Sequence, residues 1–216
     1  MDYISNDYKA LNLDTTVSKV KEVFKELPFV HFPIVENGRL LGILSQDNVA
    51  HYSNNKATLK DLQLLFDFYH AAENTHCIDL ITLFAQYDTD ILPIINNKQE
   101  YLGYYELDEI LQVFYNTPFL QQSSTTLIIE KENKTYSMSE IAQIIESNNI
   151  TLLGMYISEI NELNHQITLR LATEDVNEVI QSLRRYGYHV ITQNKDDLLL
   201  EQLKERSGYL QKYLDI

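Results

Sequence analysis

Chemically capable side chains occur along this sequence, but their spacing does not assemble them into a reacting set. Asp88 and Asp90, and again Asp196 and Asp197, are close acidic neighbours. Paired carboxylates do acid–base work only where their surroundings push their pKa values apart. Both pairs sit among polar residues and read as solvated loop charge. His70 and His76, with Glu73 and Asp79 nearby, could suggest a metal. An i, i+6 spacing does not bring two imidazoles to one helix face, so capping or solvation is the reading. Cys77 lies on an apolar helical stripe without the electropositive neighbours that a reactive thiolate needs, and reads as a core thiol. The sequence holds no GxxxxGK, GxGxxG, GxSxG or metal-ligand motif. We therefore expect no catalytic residue, no metal and no enzyme activity.

The elements around these residues form a repeat. Phe32-Pro33-Ile34-Val35, a polar turn and Leu41-Gly42-Ile43-Leu44-Ser45 return as Leu92-Pro93-Ile94-Ile95, a turn one residue longer and Leu102-Gly103-Tyr104-Tyr105-Glu106. Upstream, Val17, Val20, Val23, Phe24 and Leu27 are matched sixty residues on by Cys77, Leu80, Leu83, Phe84 and Tyr87. Both sets follow the spacing of one helix face. Each copy therefore reads helix, strand, turn, strand, short helix, with Thr15 and Thr75 as expected N-caps. Asn37-Gly38 and Asn96-Asn97 supply residues that tolerate positive φ in the turns. Leu59, Leu62, Leu65, Phe66 and Tyr69 are spaced as a connecting helix over 58–73, after a loop at 50–57.

At these residues the chain resembles the CBS domain, and the tandem resembles a Bateman module, over roughly residues 1 to 116. The resemblance implies two βαββα units paired sheet to sheet, with clefts that hold AMP, ADP, ATP or S-adenosylmethionine as a regulatory ligand and no required cofactor. The family's ligand sites read Gly-h-x-Thr/Ser-x-x-Asp, with the hydroxyl facing phosphate and the aspartate accepting from two ribose hydroxyls. Carried onto this chain, the first site comprises Pro33, Ile34, Gly42, Ser45 and Asn48. Asn48 stands at the aspartate position, with Asp47 one residue early, and loses charge assistance. A weaker second site comprises Pro93, Ile94, Gly103, Glu106 and Glu109, where Glu106 would repel a phosphate. That site is expected to be empty or to take a ligand without phosphate, and Tyr104 and Tyr105 are large enough to fill it. The N-terminal arm either completes the first sheet or, at residues 11–14, also lines a ligand.

Beyond a polar stretch at 117–125 the pattern changes. Leu127 to Ile129 reads as a strand, Ser137-Met138-Ser139-Glu140 as a capping box before a helix, and Ile150 to Ile157 and Ile167 to Leu171 as strands. Val176 to Leu183 is a second amphipathic helix, closed by Arg184, Arg185 and Gly187, and Tyr188 to Thr192 a last strand. This βαββαβ order is a ferredoxin-like split unit, and after a Bateman module it resembles an ACT domain. The resemblance implies dimer pairing and an amino-acid site, although the turn at 132–136 lacks the proline or glycine common there. The expected fold is α+β: CBS unit 1 at 1–57, CBS unit 2 with its connecting helix at 58–116, a linker at 117–125, an ACT-like domain at 126–194 and a C-terminal helix at 195–216, covering its own chain or a partner.

With 216 residues and 44% hydrophobic content, the chain can build a sizeable core. A formal charge of −14 excludes the electrostatic basis of nucleic-acid binding, so the 15 tyrosines read as core and surface aromatics rather than base-stacking platforms. No run reaches the roughly 18 apolar residues of a membrane span, and no export signal opens the chain. The expectation is a cytoplasmic homodimer that senses a small ligand and acts on another protein. The alternative is a ligand-independent oligomerisation or partner-binding scaffold with degenerate pockets.

Overall fold

The computed structural model describes residues 3–132 and 135–191. The chain divides into two compact units, Met1–Thr117 and Pro118–Ile216. In the first unit, α1 (Val17–Glu26), β1 (His31–Glu36), β2 (Arg39–Ser45) and α2 (Gln46–Ala50) form copy one. Copy two comprises α3 (Cys77–Tyr87), β4 (Ile91–Ile95), β5 (Tyr101–Glu106) and α4 (Leu107–Tyr115). Both hairpins carry a bulge at the same repeat position, after Ile34 and after Ile94. In the first turn Asn37 and Gly38 take positive φ. In the second, positive φ falls on Gln99 rather than on Asn96 or Asn97. Asn96 instead accepts the N–H groups of Lys98 and Glu100 through its side-chain oxygen, which closes the longer turn. The helix N-caps lie one residue beyond the expected threonines. Thr16 Oγ1 accepts from Lys19 N, and His76 Nδ1 accepts from Ile78 N.

The expected connecting helix over 58–73 does not form. A 3₁₀ helix covers Leu59–Leu65, and the chain then runs extended into the two-residue strand β3 (Ala71–Ala72). Tertiary pairing overrides the local spacing. Ala71 must lie beside Ile94, as Leu11 lies beside Ile34 sixty residues earlier. On the way, Asp67 pairs with Ile43 of copy one, while Ser5 pairs with Tyr104 of copy two. Each copy's leading segment therefore crosses the other copy's second strand before joining its own sheet. The cores interlock accordingly. Tyr104 is buried with Val17, Val20, Phe24 and Ile34, whereas Ile43 is buried with Leu80, Phe84, Leu92 and Ile94. Full burial of each such side chain stabilises by about 1.5–3 kcal/mol.

The second unit contains α5 (Pro118–Gln121), β6 (Thr125–Glu132), α6 (Met138–Ser147), β7 (Leu152–Ile160), β8 (Asn164–Leu171), α7 (Asn177–Arg185) and β9 (His189–Val190). Its sheet is antiparallel in the order β7-β8-β6-β9, the arrangement of a ferredoxin-like split unit. Leu127, Ile129, Ile167 and Leu169 face Ile141, Ile144, Val179 and Leu183 of the two helices in one core. Helix α5 lies within the stretch read as a linker. Phe119 sits over Gly154, where an added Cβ would lie 2.7 Å from its ring. Gly187, with φ +82°, ends α7 while Tyr188 N bonds back to Leu183 O at 3.0 Å. The C-terminal helix expected at 195–216, the pair Asp196 and Asp197, and the end of the last strand at Thr192 lie outside the described residues.

Candidate functional site

The residues named for the first site take two different roles. Pro33 and Ile34 are buried in β1, and Pro33 O accepts from Leu11 N at 3.0 Å. Gly42 lies under the crossing segment, where a Cβ would come within 2.8 Å of Phe66 Cβ and 2.9 Å of Asp67 O. These three shape the hairpin and let the segment pass. Ser45 and Asn48 are half-buried at the start of α2. Ser45 Oγ accepts from Asn48 N at 3.3 Å, which caps the helix and leaves the hydroxyl hydrogen to be donated. Asn48 Nδ2 donates to Leu65 O at 3.2 Å, tying α2 to the segment between the copies. Sequence spacing does not reveal this link, because it places Leu65 within a helix.

The second site is built differently. Pro93, Ile94 and Gly103 are buried. An added Cβ on Gly103 would lie 2.6 Å from Ser5 O, so the N-terminal arm occupies that face. Tyr104 and Tyr105 fill the interior; Tyr104 Oη accepts from Tyr8 N, and Tyr105 Oη donates to Glu73 O. Partial burial pushes the Glu106 carboxyl above its ordinary range. A hydrogen bond with Ser5 opposes this, and the charges of Glu109, Asp7 and Asp108 reinforce it. Glu109 is exposed and lines a cavity of about 210 Å³ with Tyr3, Ser5, Asn6 and Asp7. Such an acidic surface disfavours an anionic ligand. Among the described residues, no group of three or more His, Cys, Asp or Glu is placed to hold a metal ion. A further cavity of about 230 Å³ lies between α1 and α2, lined by Lys21, Phe24, Lys25, Gln46, Val49 and Ala50.

Asp90 corrects a sequence expectation. It is not a solvated loop charge. Its Oδ2 accepts from Val30 N at 2.6 Å, and its Oδ1 lies 2.8 Å from His31 Nδ1, both in copy one. The local sequence around Asp90 is polar, so only the repeat offset, which aligns Asp90 with Val30, carried a trace of this contact.

Residues 1–55 match the family model of the CBS domain. A protein of Methanocaldococcus jannaschii, described only as uncharacterized, is 22% identical over 102 residues, which span 47% of this chain and 38% of the relative. This chain thus covers well under half the length of that relative. Among solved structures, a CBS domain pair/ACT domain protein from Thermotoga maritima aligns over 52% of this chain and 92% of its own, with 11% identity and a TM-score of 0.47. CBSX2 in complex with AMP aligns over 52% and 93%, with 15% identity and a TM-score of 0.43. Among the described residues, no helix is long and apolar enough to cross a membrane. The match to the CBS domain thus spans residues 1–55, and a second copy of the same helix–hairpin–helix pattern follows it.

Proposed function

We propose that this protein is a cytoplasmic regulatory module that senses an adenosine nucleotide, AMP, ADP or ATP, at the first site. One observation carries the reading. At the start of α2, Ser45 retains a hydroxyl hydrogen to donate and Asn48 a side-chain oxygen to accept, both half-buried and next to the segment that links the copies. These are the groups a phosphate oxygen and a ribose hydroxyl require. The second site, with Glu106 and Glu109, takes no phosphate. Binding regulates only if it favours one arrangement of the copies or of a homodimer over another. The output passes to a separate target protein, and the second unit serves as an ACT-like pairing domain.

Thermal unfolding with AMP, ADP, ATP, S-adenosylmethionine and amino acids, each at ~1 mM, tests this. A nucleotide at 100 times its Kd adds about 2.7 kcal/mol, or roughly 5 to 10 °C. The shift should vanish in the Ser45→Ala/Asn48→Ala variant. A shift with amino acids alone would move the site to the second unit. No shift across the set would favour the second reading, a partner-binding scaffold, which the internal hydrogen bonds of Ser45 and Asn48 support.

A further inference from the structure

We propose that two copies of this chain pair head to tail through the helical faces of the first unit. The α1–α2 face of one chain receives the α3–α4 face of the other, and Leu111 enters the cavity between α1 and α2. This contact is independent of the nucleotide site.

The two helix pairs occupy the same positions of the repeat but carry different side chains. The cavity of about 230 Å³ between α1 and α2 is lined by apolar Phe24, Val49 and Ala50 and by Lys21 and Lys25. At the matching positions of copy two, Ile81 and Ala85 replace both lysines, and Leu111 stands where copy one has Ala50. The small side chain leaves a hollow in copy one, and the large one gives a projection in copy two. Leu111 is 44% exposed, and Tyr115, one turn further along α4, is 53% exposed. Large apolar groups left in water gain by burial against an apolar hollow.

Charge selects the orientation. Lys21 Nζ donates to Tyr52 O at 2.9 Å and to Asn55 Oδ1 at 3.2 Å, so its position is fixed by uncharged acceptors that leave its charge uncancelled. Lys25 is exposed one turn further along α1. Neither α3 nor α4 contains a lysine or arginine, and they carry Asp79, Asp108 and Glu109, with Asp108 one turn before Leu111. Like faces brought together would set lysine against lysine and carboxylate against carboxylate, whereas unlike faces bring opposite charges together. In a chain with a formal charge of −14, two copies repel on approach, and the lysine-bearing groove is where an acidic face meets attraction instead. A twofold axis makes the contact twice, which closes the assembly as a dimer.

The test is sedimentation velocity of the full chain without nucleotide, in the natural sequence and in Lys25→Glu, Ala50→Glu and Leu111→Glu. The natural chain should sediment as a dimer, and each substitution should weaken it about tenfold or more, equivalent to about 1.4 kcal/mol. All three residues are exposed, so the substitutions leave the fold intact. An equal mixture of Ala50→Glu and Leu111→Glu then separates the two orientations. Head-to-tail pairing gives the mixed dimer one wholly natural contact, which neither variant has alone, so the mixture should associate more tightly than either. Pairing of like faces gives each variant alone one natural contact and the mixed dimer none. A mixture no tighter than its components, a dimer indifferent to the substitutions, or a natural chain that stays monomeric at ~100 μM overturns the inference. The last of these would assign the two faces to a different protein.

Discussion

Asp90 Oδ2 accepts the backbone N–H of Val30 at 2.6 Å, so a carboxylate of the second copy holds the residue that leads into the first strand of the first copy. The same carboxylate holds His31 Nδ1 at 2.8 Å. The residue aligned with Asp90 in the first copy is Val30, whose apolar side chain has no acceptor. Gln46 N bonds to Val30 O, and Leu107 N bonds to Asp90 O, at matching places in the two copies. At this place the repeat is symmetric in its main chain and asymmetric in the side chain.

Asp90→Ala should destabilise the chain by about 2 kcal/mol, within the range for hydrogen bonds to charged groups. The substitution removes the acceptor for a strand-end N–H, and Asp90→Asn should recover about half of the loss. Urea midpoints at constant slope measure both. Equal stability of Asp90→Ala and the natural chain would show that water replaces the carboxylate at no cost.

The two crossings make a prediction about glycine. Gly103 has φ +145°, and an added Cβ would lie 2.6 Å from Ser5 O. Gly103→Ala should cost about 2–4 kcal/mol, from backbone strain and overpacking together. Its signature is faster amide exchange at Ser5 and Tyr104, whose mutual hydrogen bonds hold the arm. Gly38 also has positive φ, but open space surrounds it, so Gly38→Ala should cost only about 1–2 kcal/mol and leave that exchange unchanged.

Glu106 gives a pH dependence. Partial burial raises its folded pKa above the ordinary carboxylate value, with help from Glu109, Asp7 and Asp108. A carboxyl raised on folding binds its proton more tightly in the folded state. Its contribution favours folding below the unfolded pKa and is lost as pH rises through the folded pKa. Glu106→Gln should therefore raise the unfolding temperature by a few degrees at pH 7, and the gain should fade as pH falls toward the ordinary Glu pKa of about 4.3. A difference that stays constant with pH would assign the effect to packing instead.

The repeated hairpins were legible because an offset of sixty and a period-consistent apolar pattern survive in the sequence. The connecting segment was not. Leu59 and Leu62 are buried in a 3₁₀ helix and Tyr69 in extended chain, so one apolar spacing served two conformations. Pairing with Ile43 and Ile94 decides between them, and neither partner is local. At the candidate site, Ser45 and Asn48 were legible as polar residues in a family pattern. Their present partners were not, because Asn48's carbonyl partner belongs to that same misread segment. Gly42 and Gly103 were legible as invariants of the repeat, but their physical reason, a strand passing overhead, needs the three-dimensional crossing.

The second unit shows the same limit at Glu140 and yields the last prediction. The sequence Ser137 to Glu140 has capping-box spacing, and Ser137 Oγ does accept from Glu140 N at 3.3 Å. The reciprocal bond is absent from its usual place, because Tyr188 has entered the box. Its hydroxyl accepts from Ser137 N at 3.2 Å and donates to Glu140 Oε2 at 2.7 Å. Lys131 Nζ completes the group, 3.0 Å from the same oxygen and 4.0 Å from the Tyr188 ring centre. Burial first, then the bond to Glu140, pushes the Tyr188 phenol up to about 12. The bond to Tyr188, followed by that to Lys131, holds the Glu140 carboxyl below its ordinary value. A carboxyl lowered on folding contributes stability above its unfolded pKa, and that contribution is lost as pH falls through the folded pKa. Tyr188→Phe keeps the ring under Lys131 and removes only the hydroxyl. It should cost about 1.5 kcal/mol at pH 7, the lower end for a bond to a charged group, since Glu140 remains partly exposed. In urea melts at pH 3 the difference between the variant and the natural chain should shrink to the part due to Ser137 N–H alone. A deficit of the same size at both pH values would show that the hydroxyl acts through the helix N-terminus and not through the carboxylate.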